Sequence, residues 1–250
     1  MRAMVLSATG CLDQNPAPLK IADVIRPEPG HGEILIEVAV CGVCHTELDE
    51  IEGRTMPPRL PVIPGHEIVG RVAALGTASR RHKIGDRVGV GWIYSSTGEI
   101  TENLSEDFRA TGRDADGGYA EFVVVPGKYA YPIPDVFSDA EAAPLLCAGG
   151  VGYRSLKLTG LQNGQVLGLT GFGGSGHLVL HMAKHLYADC RVLCSRAVRR
   201  SAYLRCNWVL IGRAIRPIRR PRRLMRLSTR RRHGNLCWLR WSACDLVADW

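Results

Sequence analysis

Three potential ligands of borderline-soft metals occur in the first 150 residues of this 250-residue chain. They are the thiols of Cys44 and Cys147 and the imidazole of His66. Two thiolates and one imidazole suit zinc with an open fourth position, which is the catalytic rather than the structural arrangement. Because the three lie far apart in sequence, their spacing is weak support, and core or surface roles stay open for each.

Cys41 and Cys44 form a CxxC pair. Such a pair also indicates a metal knuckle or a redox dithiol. The sequence holds no second CxxC and lacks the surroundings of a thioredoxin-type motif. Both alternatives are therefore weaker than the three-ligand site.

A glycine-rich turn, GFGGSG at 171–176, contains Gly171, Gly173, Gly174 and Gly176. It follows a predicted strand at 165–170 and opens a predicted helix at 177–187, and CRVLC (190–194) reads as the next strand. In this βαβ context the pattern predicts a dinucleotide site, with the pyrophosphate at the helix N-terminus. A glycine-rich packing turn is the alternative.

The residue that reads the ribose is expected about 20 residues later, at the end of the next strand. Ser195 and Arg196 stand there, and neither is acidic. A small residue followed by Arg suits a 2′-phosphate, so the sequence favours NADP slightly over NAD. The alternative is that Arg196 already belongs to the basic tail described below.

The elements that must position these residues divide the chain. Residues 1–135 read as β-rich, with alternating apolar residues that predict strands at 32–40, 86–92 and 117–125. Short strands between Gly and Pro residues are typical of a barrel or an irregular sandwich. Residues 136–196 read as α/β, with helices predicted at 138–146 and 150–160 before the βαβ unit.

Together these segments resemble the zinc-dependent medium-chain alcohol dehydrogenases from residue 1 to about 195. The resemblance implies a mixed fold: a GroES-like β-barrel catalytic domain (1–135), then an incomplete Rossmann α/β domain (136–196) of about one βαβ unit. The motifs that carry it are CGVCHTELD (41–49), PGHEIVGRVAALG (64–76), GDRVGVGW (85–92), DGGYAEFVVVP (116–126), AAPLLCAGGVGYRSL (142–156) and GLTGFGGSGH (168–177).

The resemblance implies one catalytic zinc and assigns the residues around it. Cys44, His66 and Cys147 match its ligands, and Glu67 matches a carboxylate that lies near the metal and can replace water on it. Glu47 matches an acidic residue that orients a ligand imidazole.

Other matched positions concern the reaction and the cofactor. Thr46 matches the hydroxyl that accepts the substrate proton, His45 a residue facing the cofactor pyrophosphate, and Trp92 a wall of the substrate pocket, although a core Trp is the alternative. The implied reaction is hydride transfer between an alcohol, aldehyde or ketone and NAD or NADP, with zinc as Lewis acid.

Two departures from the family pattern stand out. Asp49 occupies the place of the proton-relay histidine, so the relay is in doubt, although a carboxylate can also pass a proton. In the lobe at 96–108, Thr97, Ile100 and Ser105 stand where thiols would bind a structural zinc. We therefore expect no structural zinc.

The net charge of +8 is unevenly spread: residues 1–190 carry −6 and residues 191–250 carry +14, with 16 Arg and no Lys in the latter. The tail at 197–250 shows neither helical nor strand periodicity and is expected to be irregular rather than a native domain. It leaves the Rossmann domain short, so we expect a C-terminally truncated chain.

Two interpretations of the tail stay open. One is an Arg-rich arm that binds nucleic acid or another anionic polymer. The other is a shifted reading frame beginning near residues 196–200, because CGN arginine codons read as Ala, Pro and Thr when shifted. The sequence favours the frameshift, since a selected basic arm usually includes Lys and interspersed polar residues.

Composition also bears on where the protein is located and on the kinds of partner it has. The chain has no apolar run of about 18 residues and no clear secretory signal, and its nine Cys form no regular framework. These features predict a cytoplasmic protein with no membrane span. The resemblance implies a small alcohol or aldehyde as substrate, and no nucleic-acid partner is expected. Full-length relatives are expected to be homo-oligomers. An inactive zinc-binding remnant of such an enzyme is the alternative function.

Overall fold

A computed structural model describes the backbone of residues 1–198, 205–211 and 236–240, and the side chains through Ser195. The chain divides into two compact units, Met1–Cys147 and Ala148–Trp250. All four sulfur, imidazole and carboxylate groups that the sequence assigns to zinc lie in the first unit.

The first unit is built on a five-stranded antiparallel sheet of order β8-β3-β4-β5-β9. Two smaller antiparallel pairs, β1 with β2 and β6 with β7, accompany it. The strands are β1 (Arg2–Leu6), β2 (Leu19–Asp23), β3 (Glu33–Cys41), β4 (Ile68–Leu75), β5 (Arg87–Val90), β6 (Ile93–Ser95), β7 (Arg109–Ala110), β8 (Phe122–Pro126) and β9 (Ala130–Pro132).

Alternating apolar residues place the core of this unit on one face of the sheet. Ile34 and Ile36 on β3 pack with Val88 and Val90 on β5 and with Val125 on β8, whereas Glu37, the next residue on β3, faces solvent. The strands predicted at 32–40 and 86–92 are thus observed as β3 and β5, within a GroES-like half-barrel.

The strand predicted at 117–125 begins only at Phe122. Residues before it form a loop because the Gly117 and Gly118 N–H groups donate to the carbonyls of Ile63 and Gly65 rather than to a neighbouring strand. This loop lies beside the turn that carries His66.

Two helices belong to the first unit: α1 (His45–Ile51) and α2 (Asp139–Ala142). Ser138 caps α2, and Glu141 completes a capping box with it. A 3-10 helix, Ala143–Leu146, then leads to Cys147. Ala142 and Ala143 pack on Val69 of the sheet, and the first compact unit includes Cys147.

The second unit contains the predicted βαβ arrangement. Its described elements are α3 (Ala148–Leu158), β10 (Val166–Thr170), α4 (Gly174–Leu186), β11 (Arg191–Val198), β12 (Arg205–Ile211) and β13 (Leu236–Arg240). β10 and β11 run parallel, with Leu167 opposite Val192. Their apolar residues pack on Val179 and Ala183 of α4, which makes this unit a partial Rossmann sheet.

Two strands fall in the tail for which the sequence predicts irregular structure. β12 pairs antiparallel with β11, and β13 pairs parallel with β10. Their sequences, RCNWVLI and LCWLR, are short apolar runs that the abundance of Arg elsewhere in the tail obscured. The hypotheses of a frameshift and of a polyanion-binding arm concern residues that lie largely outside those described.

Among the described residues, no helix combines the length and apolar character that a membrane crossing needs.

Candidate functional site

Four potential metal ligands converge in the first unit: Cys44, His66, Glu67 and Cys147. Their donor atoms all lie within 4.8 Å of one another, and the two sulfurs are 3.9 Å apart. Within the described part of the chain, this is the one group of three or more such donors. The fold therefore brings together residues that are separated by about 100 positions in sequence.

The start of α1 fixes the first of these ligands. Cys44 is the N-cap residue, with extended backbone. Its N–H donates to Oε2 of Glu47 at 2.8 Å, which satisfies one of the N–H groups that a helix start leaves without a partner. Glu47 thus ties the backbone of Cys44 to the first turn of α1.

The same carboxylate holds the imidazole. Oε1 of Glu47 lies 2.6 Å from Nδ1 of His66, and the two side chains are 2% and 1% exposed. Nε2 of His66 is also buried and has no hydrogen-bond partner. An imidazole fixed through one nitrogen, with the other directed at thiols, is the usual arrangement of a metal-binding histidine and its supporting carboxylate.

Two glycines make room for the turn that carries His66 and Glu67. Gly65 has φ +101, and a Cβ there would meet the Tyr119 ring at 2.6 Å. A Cβ at Gly42 would collide with Oε2 of Glu67. Only glycine lets the strand end and the turn approach closely enough to place the Glu67 carboxylate beside the thiols.

The two thiols differ in acidity. The contact with the Cys147 sulfur lowers the pKa of Cys44 to about 3, against the effect of its burial. The pKa of Cys147 is raised by the same contact and by burial. The contact between the two sulfurs therefore acts on their pKa values in opposite directions.

The imidazole and the carboxylate also depart from their usual acidity. Burial acts to lower the pKa of His66, but the neighbouring Cys44 and Glu47 groups outweigh it and raise the pKa to about 10. Burial raises the pKa of Glu67 to about 7. A cation at the centre of the cluster would compensate its buried anionic groups.

The donor set fits a zinc ion by its chemistry. It combines two sulfurs, one buried imidazole nitrogen without a partner, and one carboxylate, all of which are common zinc ligands. Cys41, by contrast, packs with the β-sheet core, and burial raises its pKa to about 12. The CxxC pair is therefore divided between the cluster and the core.

Thr46 and Trp92, which the sequence places near the metal, lie beside the cluster. Oγ1 of Thr46 is 3.6 Å from the Cys44 sulfur. The Trp92 ring meets the His66 ring edge-on, with ring centroids 5.1 Å apart. The centroid of the Phe108 ring lies 6.2 Å from that of the Trp92 ring. Trp92 and Phe108 form an aromatic wall next to the His66 imidazole.

Asp49 and His45 form a different group. The buried Asp49 carboxylate lies 2.5 Å from two nitrogens of Arg54 and 3.7 Å from Nε2 of the exposed His45. Asp49 is thus engaged by a guanidinium group rather than directed at the donor cluster. This contact weakens the expectation that Asp49 relays a proton.

Sequence reasoning missed Glu50. It is 1% exposed, and neither carboxylate oxygen has a hydrogen-bond partner. Burial, then the charge of Glu47, raises its pKa to about 8. The spacing of Glu47 and Glu50 places two acids on one face of α1, but it does not indicate that Glu50 is buried.

The lobe at 96–108 is held by hydrogen bonds around one phenol. The Tyr129 hydroxyl lies 2.9 Å from the Ser96 N–H, from the Ser96 carbonyl and from Oε2 of Glu102. The Ser96 hydroxyl donates to the Glu102 carbonyl at 2.7 Å. This network joins the lobe to the sheet at the place where the family pattern would have thiols.

The glycine turn in the second unit adopts the predicted form. Gly171 has φ +99, and Gly173 is the N-cap of α4. A Cβ at Gly176 would lie 3.0 Å from the Gly171 carbonyl, whereas one at Gly173 or Gly174 would meet nothing within 4 Å. The space outside the start of this 13-residue helix is open to a phosphate.

Ser195 lies at the end of β11, opposite Thr170 of β10. It is 2% exposed, its hydroxyl has no hydrogen-bond partner, and its carbonyl accepts from the Gly171 N–H at 2.8 Å. This residue is therefore adjacent to the glycine turn, as predicted. The Arg196 side chain lies outside the described residues.

The chain is similar to known proteins over most of its length. Residues 30–135 match the alcohol dehydrogenase GroES-like domain. The chain is 42% identical to the Mycobacterium tuberculosis protein named "Probable alcohol dehydrogenase AdhA", over 82% of this chain and 62% of that protein.

Two solved structures share the fold. A cobalt- and zinc-bound thermostable alcohol dehydrogenase from Pyrobaculum aerophilum is 28% identical, with a TM-score of 0.70 over 81% of this chain and 58% of that one. An NAD-dependent alcohol dehydrogenase is 26% identical, with a TM-score of 0.72 over 79% and 58%. The chain spans between half and two thirds of the length of the curated relatives it matches. Over the region it shares with them, the chain is similar to alcohol dehydrogenases with a GroES-like N-terminal domain.

Proposed function

We propose that this chain is a zinc-dependent oxidoreductase that transfers hydride between a small alcohol, or the corresponding aldehyde or ketone, and NAD or NADP. The observation that carries this proposal is the convergence of Cys44, His66, Glu67 and Cys147 within 4.8 Å. Glu47 supports the imidazole from behind, as catalytic zinc sites require. The family relationship supplies the reaction class.

Cys44, His66 and Cys147 would hold one zinc ion, and Glu67 would occupy the fourth position or yield it to substrate. Zinc bound there supplies Lewis-acid polarisation of a carbonyl or hydroxyl oxygen. Glu47 keeps the His66 ring in one orientation by its contact with Nδ1. Trp92 and Phe108 shield the imidazole side of the site and give the substrate an apolar surface.

Thr46 is the group that would accept the proton of the alcohol, at Oγ1. Its hydroxyl lies at the edge of the donor cluster, 3.6 Å from the Cys44 sulfur. A hydroxyl both donates and accepts, so it can pass a proton onward without acquiring charge. Since Arg54 engages Asp49, we do not assign the next step of the relay to that carboxylate.

Gly171, Gly173, Gly174 and Gly176 would receive the dinucleotide pyrophosphate at the start of α4. The open space next to Gly173 and Gly174 supports this assignment, as does the helix N-terminus. The nicotinamide supplies or accepts the hydride. Ser195 and Arg196 stand at the position that reads the ribose, and neither is an acid that would bind a ribose 2′-hydroxyl. We therefore propose NADP in preference to NAD.

The zinc content of the purified chain tests the metal site. We expect about one zinc per chain, as for a single catalytic site, and its loss on Cys147→Ser. Cys11→Ser is the matched control, because Cys11 is an exposed free thiol outside the cluster. A chain that retains zinc after Cys147→Ser, or that never binds it, would contradict the assignment.

Turnover is tested separately, by reducing a panel of small aldehydes and ketones with NADPH or NADH. We expect NADPH oxidation that falls sharply on Thr46→Val and is retained on Thr46→Ser, since only valine lacks the hydroxyl. Thermal shift with each dinucleotide reports binding. Zinc binding without dinucleotide binding or turnover would favour the inactive zinc-binding remnant instead.

A further inference from the structure

Three histidines follow one face of α4. His177, His181 and His185 are spaced four residues apart, and all three are exposed. Residues i and i+4 lie one above the other on a helix, so the three form a histidine stripe. The stripe belongs to the second unit, whereas the thiol cluster belongs to the first.

His177 and His181, the first two members of the stripe, have neighbouring rings in an edge-on arrangement. The rings of His177 and His181 have centroids 6.3 Å apart at an interplanar angle of 90°. At this separation, rotation about side-chain bonds brings one nitrogen of each ring to a shared ion. Two histidines at i and i+4 on one helical face form a well-known metal-binding arrangement.

A backbone carbonyl lies beside one ring nitrogen of His177. Nδ1 lies 3.3 Å from the Gly173 carbonyl, which can only accept. The ring makes this hydrogen bond in the tautomer that carries the proton on Nδ1 and leaves the lone pair on Nε2. Metal-binding histidines usually donate their other ring N–H to a carbonyl or carboxylate in this way.

The surroundings leave the imidazoles available. The α4 sequence, GSGHLVLHMAKHL, contains no Asp or Glu that would engage them in ion pairs. Its only lysine, Lys184, donates to the Cys190 carbonyl at 2.6 Å, which directs that ammonium group toward the end of the helix. No carboxylate of this helix therefore competes for the two imidazoles, and its lysine ammonium group does not lie between them.

We propose that His177 and His181 form a second metal site, which binds a borderline divalent transition ion such as Ni²⁺, Cu²⁺ or Zn²⁺ through two imidazole nitrogens. Imidazole suits these ions, whereas Mg²⁺ and Ca²⁺ prefer oxygen. Water or a ligand from another molecule completes the coordination. The site does not depend on the proposed dehydrogenase activity.

Ni²⁺ is the probe, because it favours imidazole and does not oxidise thiols. It is titrated calorimetrically into the full chain after saturation with zinc and removal of the excess, and far-UV circular dichroism checks that each variant is folded. We expect about one Ni²⁺ site, which His177→Asn or His181→Asn weakens at least about tenfold, as loss of part of a metal site does.

His185→Asn is the matched control, since it removes an equally exposed imidazole from the same face. It should leave Ni²⁺ affinity unchanged. Mass-spectrometric mapping of diethyl pyrocarbonate modification gives a second readout: Ni²⁺ should protect His177 and His181 but not the exposed His31. Absence of Ni²⁺ binding, or an equal loss on His185→Asn, would overturn the assignment to this pair.

Discussion

Oε1 of Glu47 lies 2.6 Å from Nδ1 of His66, and both side chains are almost completely buried. The other oxygen of the same carboxylate accepts the backbone N–H of Cys44. One acid thus connects two of the four clustered donors although it is not one of them. Because α1 supplies both Glu47 and the position of Cys44, the start of this helix sets how Cys44 and His66 are held in the donor cluster.

Glu47→Gln tests this connection. We expect zinc affinity to fall by about 10- to 100-fold, because groups that orient a ligand imidazole have effects of this size. Glutamine keeps the length of the side chain and an acceptor for Cys44 but removes the charge next to His66. The measurement is competition with a chelator of known affinity. Glu121→Gln, at an exposed acid paired with Arg2, should leave zinc affinity unchanged.

The sequence predicted the identity of the clustered residues but could not derive their proximity. Cys44 lies at a helix start, His66 and Glu67 in the turn before β4, and Cys147 after a 3-10 helix. Only the fold joins these places, so the family motifs carried the assignment. The βαβ unit was predictable from local signals, because glycines and apolar periodicity lie within one continuous segment.

The burial of Glu50 and the hydrogen bonds of Tyr129 could not be predicted from the sequence. An acid on a short helix is normally solvated, and nothing in local sequence indicates that Glu50 is buried without a partner. The bonds from Tyr129 to Ser96 span 33 residues. Both features depend on tertiary packing, which pattern and propensity do not encode.

Tyr129→Phe should destabilise the lobe at 96–108. The buried phenol accepts the Ser96 N–H, and phenylalanine would leave that donor without a partner, at a cost of about 1–3 kcal/mol in the free energy of unfolding. Urea unfolding measures the change. Tyr131→Phe is the control, because Tyr131 is 45% exposed; equal effects of the two substitutions would contradict the role given to the network.

Asp49→Asn should act on stability. Arg54 contacts Asp49 through two nitrogens, but its side chain is 43% exposed, so solvent screening keeps the expected loss in the free energy of unfolding small. If Asp49 instead relays a proton, the substitution would lower kcat with little change in stability. Urea unfolding and steady-state kinetics on the same preparation distinguish these outcomes.

Glu50→Gln should stabilise the chain in a pH-dependent way. Burial, then the charge of Glu47, raises the pKa of Glu50 to about 8, so the folded state holds the proton more tightly than the unfolded state. The stability from this group is therefore fully present below its unfolded pKa, near 4.5, and is lost as the pH rises through about 8.

The benefit of the neutral, isosteric amide should accordingly grow from pH 5 upward and level off above pH 8. Each pKa unit corresponds to about 1.4 kcal/mol, so the full difference should reach a few kcal/mol. Urea unfolding of the chelator-treated chain between pH 5 and pH 9 measures it. Glu121→Gln should show no such gain, because Arg2 lowers the pKa of that exposed acid. A stabilisation by Glu50→Gln that is the same at every pH would show that Glu50 is not held protonated by its burial.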